Sequence, residues 1–172
     1  MSSHHIVRDK QEPGLLLLKW EPGTPMLLDQ LCQWCPIIVV DETCVSKFLE
    51  LGLKLNVVVN GGKAMIGELQ YQAPLDFMDS HHEVIESVEK TVMEELHVLG
   101  VFPWEKKSNE SHVFYKNGRR FSKIQSDLSI WVGEGEHVRI FSSAGKLIET
   151  LEGEDALMEF GEFEGLWLER SY

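Results

Sequence analysis

Long apolar runs are missing from this sequence. None approaches the ~20 residues that a helix needs to cross a bilayer, and Leu15-Leu16-Leu17-Leu18 is a strand-sized piece. The opening residues, Met1 to Gln11, are polar and lack the apolar centre of a secretory signal, so the expectation is a cytoplasmic protein with no membrane partner. Positive charge is scarce too. There are 16 Lys and Arg against 28 Asp and Glu, a net charge of -12. The densest basic stretches, Glu105-Lys106-Lys107 and Arg119-Arg120, are short and read as solvated faces and strand ends. Such a surface repels a phosphate backbone, so nucleic acid is excluded as an expected partner.

Cysteine is sparse, with 3 residues at Cys32, Cys35 and Cys44. An odd count without a secretory signal implies reduced thiols rather than a disulfide framework. The motifs of familiar catalysts are absent as well: no Walker pattern, no GxGxxG, no GxSxG and no HExxH.

What is present is globular. With 172 residues, 43% apolar, the chain can bury a core as one domain or as two small ones. Leu15 to Leu18 and Ile37-Ile38-Val39-Val40 read as strands buried on both faces, and Val57-Val58-Val59 as a third. Between the first two, Thr24 can cap a helix that tolerates Pro25 in its first turn. That helix carries Met26, Leu27, Leu28, Leu31 and Trp34 at helical spacing and closes at Pro36. A second helix runs through Val45, Phe48, Leu49 and Leu51, with Gly52 at its C-terminal cap. Strands alternating with short helices indicate βαβ units and a parallel sheet. A further helix is expected over 83–99, with Val84, Val88, Val92, Leu96 and Leu99 on one face.

From Ser108 the period changes. Asn117-Gly118 between Val113–Lys116 and Arg119–Ile124 signals a two-residue type I′ hairpin. Short strands follow at Ser129–Val132, His137–Phe141, Lys146–Leu151, Ala156–Phe160 and Leu166–Arg170, separated by glycine-bearing turns. The fold class expected is therefore α/β plus β: a parallel βαβ domain over 1–107, then an antiparallel β-sandwich or barrel over 108–172.

Ligands of parallel sheets sit outside the carboxyl ends of the strands. That nominates Asp41, which ends the second strand, and the turn Asn60-Gly61-Gly62 after the third. A carboxylate at Asp41 could take a ribose hydroxyl, an amine or a hydrated magnesium ion, or it could only cap the next helix. The glycine turn could hold a phosphate through backbone N–H groups. Cys32-Gln-Trp-Cys35 has redox spacing, but it closes a helix instead of opening one, and that end of the helix dipole disfavours a thiolate. Cys44 and His81-His82 could add zinc ligands, although adjacent histidines on an extended segment point to opposite faces. Small buried apolar thiols are the plainer account.

Several stretches resemble thiamin pyrophosphokinases. They are Ser2-Ser3-His4-His5-Ile6-Val7-Arg8-Asp9-Lys10-Gln11-Glu12-Pro13, Leu27-Leu28-Asp29-Gln30-Leu31 with Trp34 and Pro36, Glu50-Leu51-Gly52-Leu53-Lys54, and the ending from Met158-Glu159-Phe160-Gly161 through Leu166-Trp167-Leu168-Glu169. The resemblance implies a dimer in which an α/β catalytic domain precedes a β-sandwich. It implies transfer of pyrophosphate from ATP to thiamin with magnesium, whose carboxylate ligands are essential to such chemistry. The family places these acids at a Gly-Asp-Phe-Asp turn after the third strand and at an Asp-x-x-Thr-Asp motif before the next helix. Matched through Glu50-Leu51-Gly52, the first falls on Asn60-Gly61-Gly62-Lys63, where both acids are gone and one position has become a cation. The second falls near Val84-Ile85-Glu86-Ser87, again without aspartates, and only Asp41 keeps its family acid. The family's Arg-x-x-Asp-His stretch has no clear counterpart, with Arg119-Arg120 as its one conceivable remnant.

The resulting expectation is a pyrophosphokinase-like homodimer without catalytic residues, binding thiamin or a nucleotide at Asp41, Asn60, Gly61 and Gly62. Two alternatives stand beside it. One is an active kinase using ATP, magnesium and substitute acids such as Asp76, Asp79, Glu83 and Glu86. The other is a dimeric scaffold that binds no small molecule.

Overall fold

The computed structural model describes residues 13–59, 76–78, 95–105 and 112–171. The chain divides into two compact units, Met1–His97 and Val98–Tyr172. Among the described residues it is mostly sheet, with two α-helices. Neither helix is long and apolar enough to cross a membrane.

In the first unit, strand β1 (Gly14–Leu17) is followed by helix α1 (Thr24–Leu31), β2 (Ile37–Asp41), α2 (Glu42–Glu50), β3 (Val57–Val59) and β4 (Asp76–Met78). Strands β1 to β4 lie side by side in chain order, each parallel to the next. All four residues of β1 are buried, as a strand covered on both faces requires. Asn56 sets the register of β3 against β2: its Oδ1 accepts the Ile38 N–H at 2.8 Å, and its own N–H donates to the Ile38 carbonyl at 2.9 Å. The next residues then pair as Val39 with Val57 and Val40 with Val58.

Helix α1 departs from the expected pattern at both ends. Gly23 occupies the cap, and the Thr24 hydroxyl instead accepts the Glu21 N–H at 2.9 Å. The helix stops at Leu31, after which the N–H groups of Trp34 and Cys35 both return to the Leu31 carbonyl in a tight turn. Trp34 therefore leaves the apolar face and is 75% exposed, while Leu27 and Leu28 carry the packing. Helix α2 buries Val45 and Phe48 as expected, and Cys44 with them, and the Gly52 N–H closes on the Leu49 carbonyl, but the helix ends at Glu50 and leaves Leu51, expected on its apolar face, exposed.

Strand β5 (Leu96–Leu99) replaces the end of the helix expected over 83–99, and residues 83–94 lie outside the described residues. Helical spacing of Leu96 and Leu99 was a misleading signal, because Leu96, Val98 and Leu99 are all buried. A segment covered on nearly every side loses the amphipathic contrast that separates the two periods. Strand β4 was not anticipated at all.

The second unit is antiparallel. Strands β6 (His112–Lys116) and β7 (Arg119–Lys123) form the expected hairpin, with φ of 52° at Asn117 and 72° at Gly118 as a type I′ turn demands. Strands β8 (Ser129–Val132), β9 (His137–Phe141), β10 (Leu147–Glu152), β11 (Ala156–Glu159) and β12 (Trp167–Ser171) follow. One sheet runs β10-β9-β12-β7-β6, and β11 pairs with β8 in a second. Both sheets contribute to one core of Ile124, Val132, Val138, Ile140, Phe160 and Leu168. The other face of the larger sheet carries Phe121 and Phe141, which pack with Trp104 and Phe102 from the segment ahead of β6. Among the described residues, strand β10 is paired on one side only, and its ladder with β9 is irregular between Leu147 and Glu149.

Candidate functional site

Register aligns the carboxyl ends of three parallel strands. Asp41 of β2 is opposite Val59 of β3, and Val59 is opposite Met78 of β4. This is the edge where a parallel sheet receives its ligands, and it contains the first residue nominated from sequence.

Asp41 is 5% exposed and extended, with φ -65° and ψ 141°, and it caps α2. Its Oδ1 accepts the Thr43 N–H at 3.0 Å and the Thr43 hydroxyl at 2.6 Å. A buried carboxylate needs such donors, and a helix N-terminus provides a favourable field for its charge. The local sequence Asp41-Glu42-Thr43 produces this arrangement directly, since an aspartate at the cap reaches the N–H two residues on. Thr43 was passed over at the sequence level, although a hydroxyl at that spacing is a recognisable partner for a capping acid. The other nominated residues, Asn60, Gly61 and Gly62, lie outside the described residues, as do Lys63, His81 and His82.

Magnesium requires oxygen ligands, chiefly carboxylates, around one point. Among the described residues, the donor set at this edge does not fit such an ion: Asp41 is the single acid that β2 and β3 present there, and one of its oxygens is committed to Thr43. Among the described residues, no three His, Cys, Asp or Glu side chains cluster in a way that could hold a metal.

The three thiols are free. Burial, reinforced by Asp29, pushes Cys32 up to about 11. Burial also pushes Cys35 up to about 12, with Cys32 and Glu95 adding to it. Cys44 is raised by burial as well, against an opposing contact from Thr43. Reactive thiols are held low by nearby positive charge or a helix N-terminus. Cys44 has both, in the first turn of α2 beside Lys47, yet burial outweighs them, and Cys32 and Cys35 follow the end of α1 instead.

A polar cavity of about 220 Å³, which sequence reasoning did not nominate, opens beside the segment between β7 and β8, against the turn before β12. Lys123, Ser126, Asp127 and Glu164 line it, so two carboxylates face a single ammonium and negative charge prevails.

Solved structures show that the fold is thiamin-pyrophosphokinase-like. Over its length the chain is similar to the thiamine pyrophosphokinase from Bacillus subtilis, with a TM-score of 0.56 and 7% identity over 94% of this chain and 99% of that one. It is similar to the thiamin pyrophosphokinase from Geobacillus thermodenitrificans, with a TM-score of 0.52 and 10% identity over 93% and 97% of the two chains. A protein from Lactobacillus plantarum is similar as well, with a TM-score of 0.51 and 9% identity over 93% and 98%. At such identities the likeness is one of fold. No family model matches the chain, and no curated protein matches it.

Proposed function

We propose that this chain is a thiamin-pyrophosphokinase-like protein that does not transfer pyrophosphate and that binds thiamin or a nucleotide at the carboxyl ends of β2 and β3. The observation that carries this reading is the state of Asp41. It is the one family acid kept in the sequence, and its carboxylate is turned onto Thr43 as a helix cap. The sequence at the following turn adds an amide, two glycines and an ammonium where that family has two acids. Polyphosphate transfer depends on metal ions neutralising developing charge, and metals need fixed carboxylates.

Two measurements separate the parts of the reading. A coupled assay of the purified chain with ATP, magnesium and thiamin should give no thiamin diphosphate, and sustained magnesium-dependent formation would overturn the loss of activity. Calorimetry with thiamin, thiamin diphosphate and ATP should give saturable heat with at least one of them. Silence from all three, with no change in melting temperature, would remove the binding role and leave the scaffold reading. The homodimer belongs to the same proposal, and sedimentation showing a monomer at assay concentration would remove it.

A further inference from the structure

Four of the chain's five arginines, Arg119, Arg120, Arg139 and Arg170, lie on adjoining strands of one sheet, the fifth being Arg8. Register brings them together: Arg120 is opposite Arg170, and one row further Phe121, Glu169 and Arg139 stand side by side on β7, β12 and β9. Consecutive strand residues point to opposite faces, so Arg119 and Arg139 share one face and Arg120 the other. On the first face Glu169 is 4% exposed, and it is held by both guanidinium groups. Arg119 Nη1 lies 3.4 Å from Oε2 and Arg139 Nη1 lies 3.3 Å from Oε1.

A buried carboxylate needs a cation, and a single bidentate arginine would neutralise it. Here a second arginine makes the group net positive in a chain of net charge -12. Each guanidinium commits Nη1 to Glu169 and carries more N–H donors than that bond uses. The side chains are 43% and 39% exposed, so those remaining donors can meet a ligand. The aromatic wall is close. Phe121 is fully buried as the cross-strand partner of Glu169, and it packs on Phe141 and Trp104. Low-polarity surroundings strengthen a charge-assisted bond made beside them.

We propose that Arg119 and Arg139, spaced by Glu169, form a binding site for a phosphate-bearing anion on the β7-β12-β9 face of the second unit. The planar fork of a guanidinium matches phosphate oxygens, and two forks held apart by a carboxylate suit an anion with more than one phosphoryl group. Glu169 positions the pair and does not itself contact the anion.

The test titrates the purified full chain with sodium pyrophosphate, inorganic phosphate and ATP at constant ionic strength set by sodium chloride. Pyrophosphate should give saturable heat and raise the melting temperature, more strongly than phosphate does. Arg139→Gln should weaken binding about tenfold or more, the loss expected for one charge-assisted hydrogen bond. Arg120→Gln, on the other face, should leave it unchanged. Glu169→Gln removes the central negative charge and should tighten pyrophosphate binding several-fold while lowering stability in its absence. A purely structural bridge would lose stability in the same variant and show no anion response. ATP heat that vanishes in Arg139→Gln belongs to this site, whereas heat that persists belongs to the ends of β2 and β3. No heat and no shift with the wild-type chain would overturn the proposal, as would an unchanged response in the double variant Arg119→Gln, Arg139→Gln.

Discussion

Gly145 lies against the indole of Trp104 with no room for a side chain: a Cβ at that position would fall 2.5 Å from two ring carbons. Its φ of 79° is also one that other residues rarely adopt. The turn between β9 and β10 is thereby fastened to the aromatic group of Phe102, Trp104, Phe121 and Phe141. Gly145→Ala should cost about 2–4 kcal/mol, combining left-handed strain with overpacking. Urea unfolding measures it, and Gly145→Ala in a Trp104→Ala background should recover the overpacking part.

Removal of the α2 cap gives a second test. Asp41→Ala should destabilise the chain by about 1–2 kcal/mol, because the Thr43 N–H loses its acceptor. Asp41→Ser keeps a capping oxygen and should recover most of that loss. Equal losses in both variants would mean that the charge of Asp41, rather than its role as an acceptor, matters to folding.

Asn56 ties β3 to β2 through two bonds to Ile38, one of them made by its side-chain oxygen. Asn56→Ala strands the Ile38 N–H beside a buried strand and should cost about 1–3 kcal/mol. Faster hydrogen exchange at Ile38 and Val40, read by NMR, would accompany it.

The thiols set a pH dependence with a definite sign. Cys32 near 11 and Cys35 near 12 stay protonated in the native state where the unfolded chain has already ionised. The unfolded state then binds fewer protons, so stability falls as pH rises above the ordinary thiol value of 9.0 toward those values, and it is unaffected below. Denaturant melts across that range should show the fall, and Cys35→Ala should reduce it. At neutral pH, Ellman's reagent should react slowly with the native chain and quickly after unfolding.

The sequence carried the strands and helices whose signal is local. Ile37 to Asp41 is β-branched and continuous, and Asn117-Gly118 dictates its hairpin by backbone preference alone. Failures arose where packing overrides local pattern. Leu96 to Leu99 has spacing compatible with either period, and only its burial makes it a strand. Trp34 fits the helical stripe of α1, yet the helix has already ended at Leu31. The aspartate at the sheet's carboxyl edge was readable because topology alone places it there. The arginine cluster was not, since positions 119, 139 and 169 acquire their proximity from strand register, which no spacing encodes.

The irregular ladder of β10 also matters outside the folded monomer. A straight border strand carrying exposed Leu147 and Ile148 would template the growth of a sheet across molecules. The shift between Leu147 and Glu149 bends that border and breaks the even row of amides, while Glu149 and Glu152 add mutual repulsion. That should hinder chains at high concentration from fusing edge to edge, and a variant that straightened this stretch should trade solubility for fibre formation.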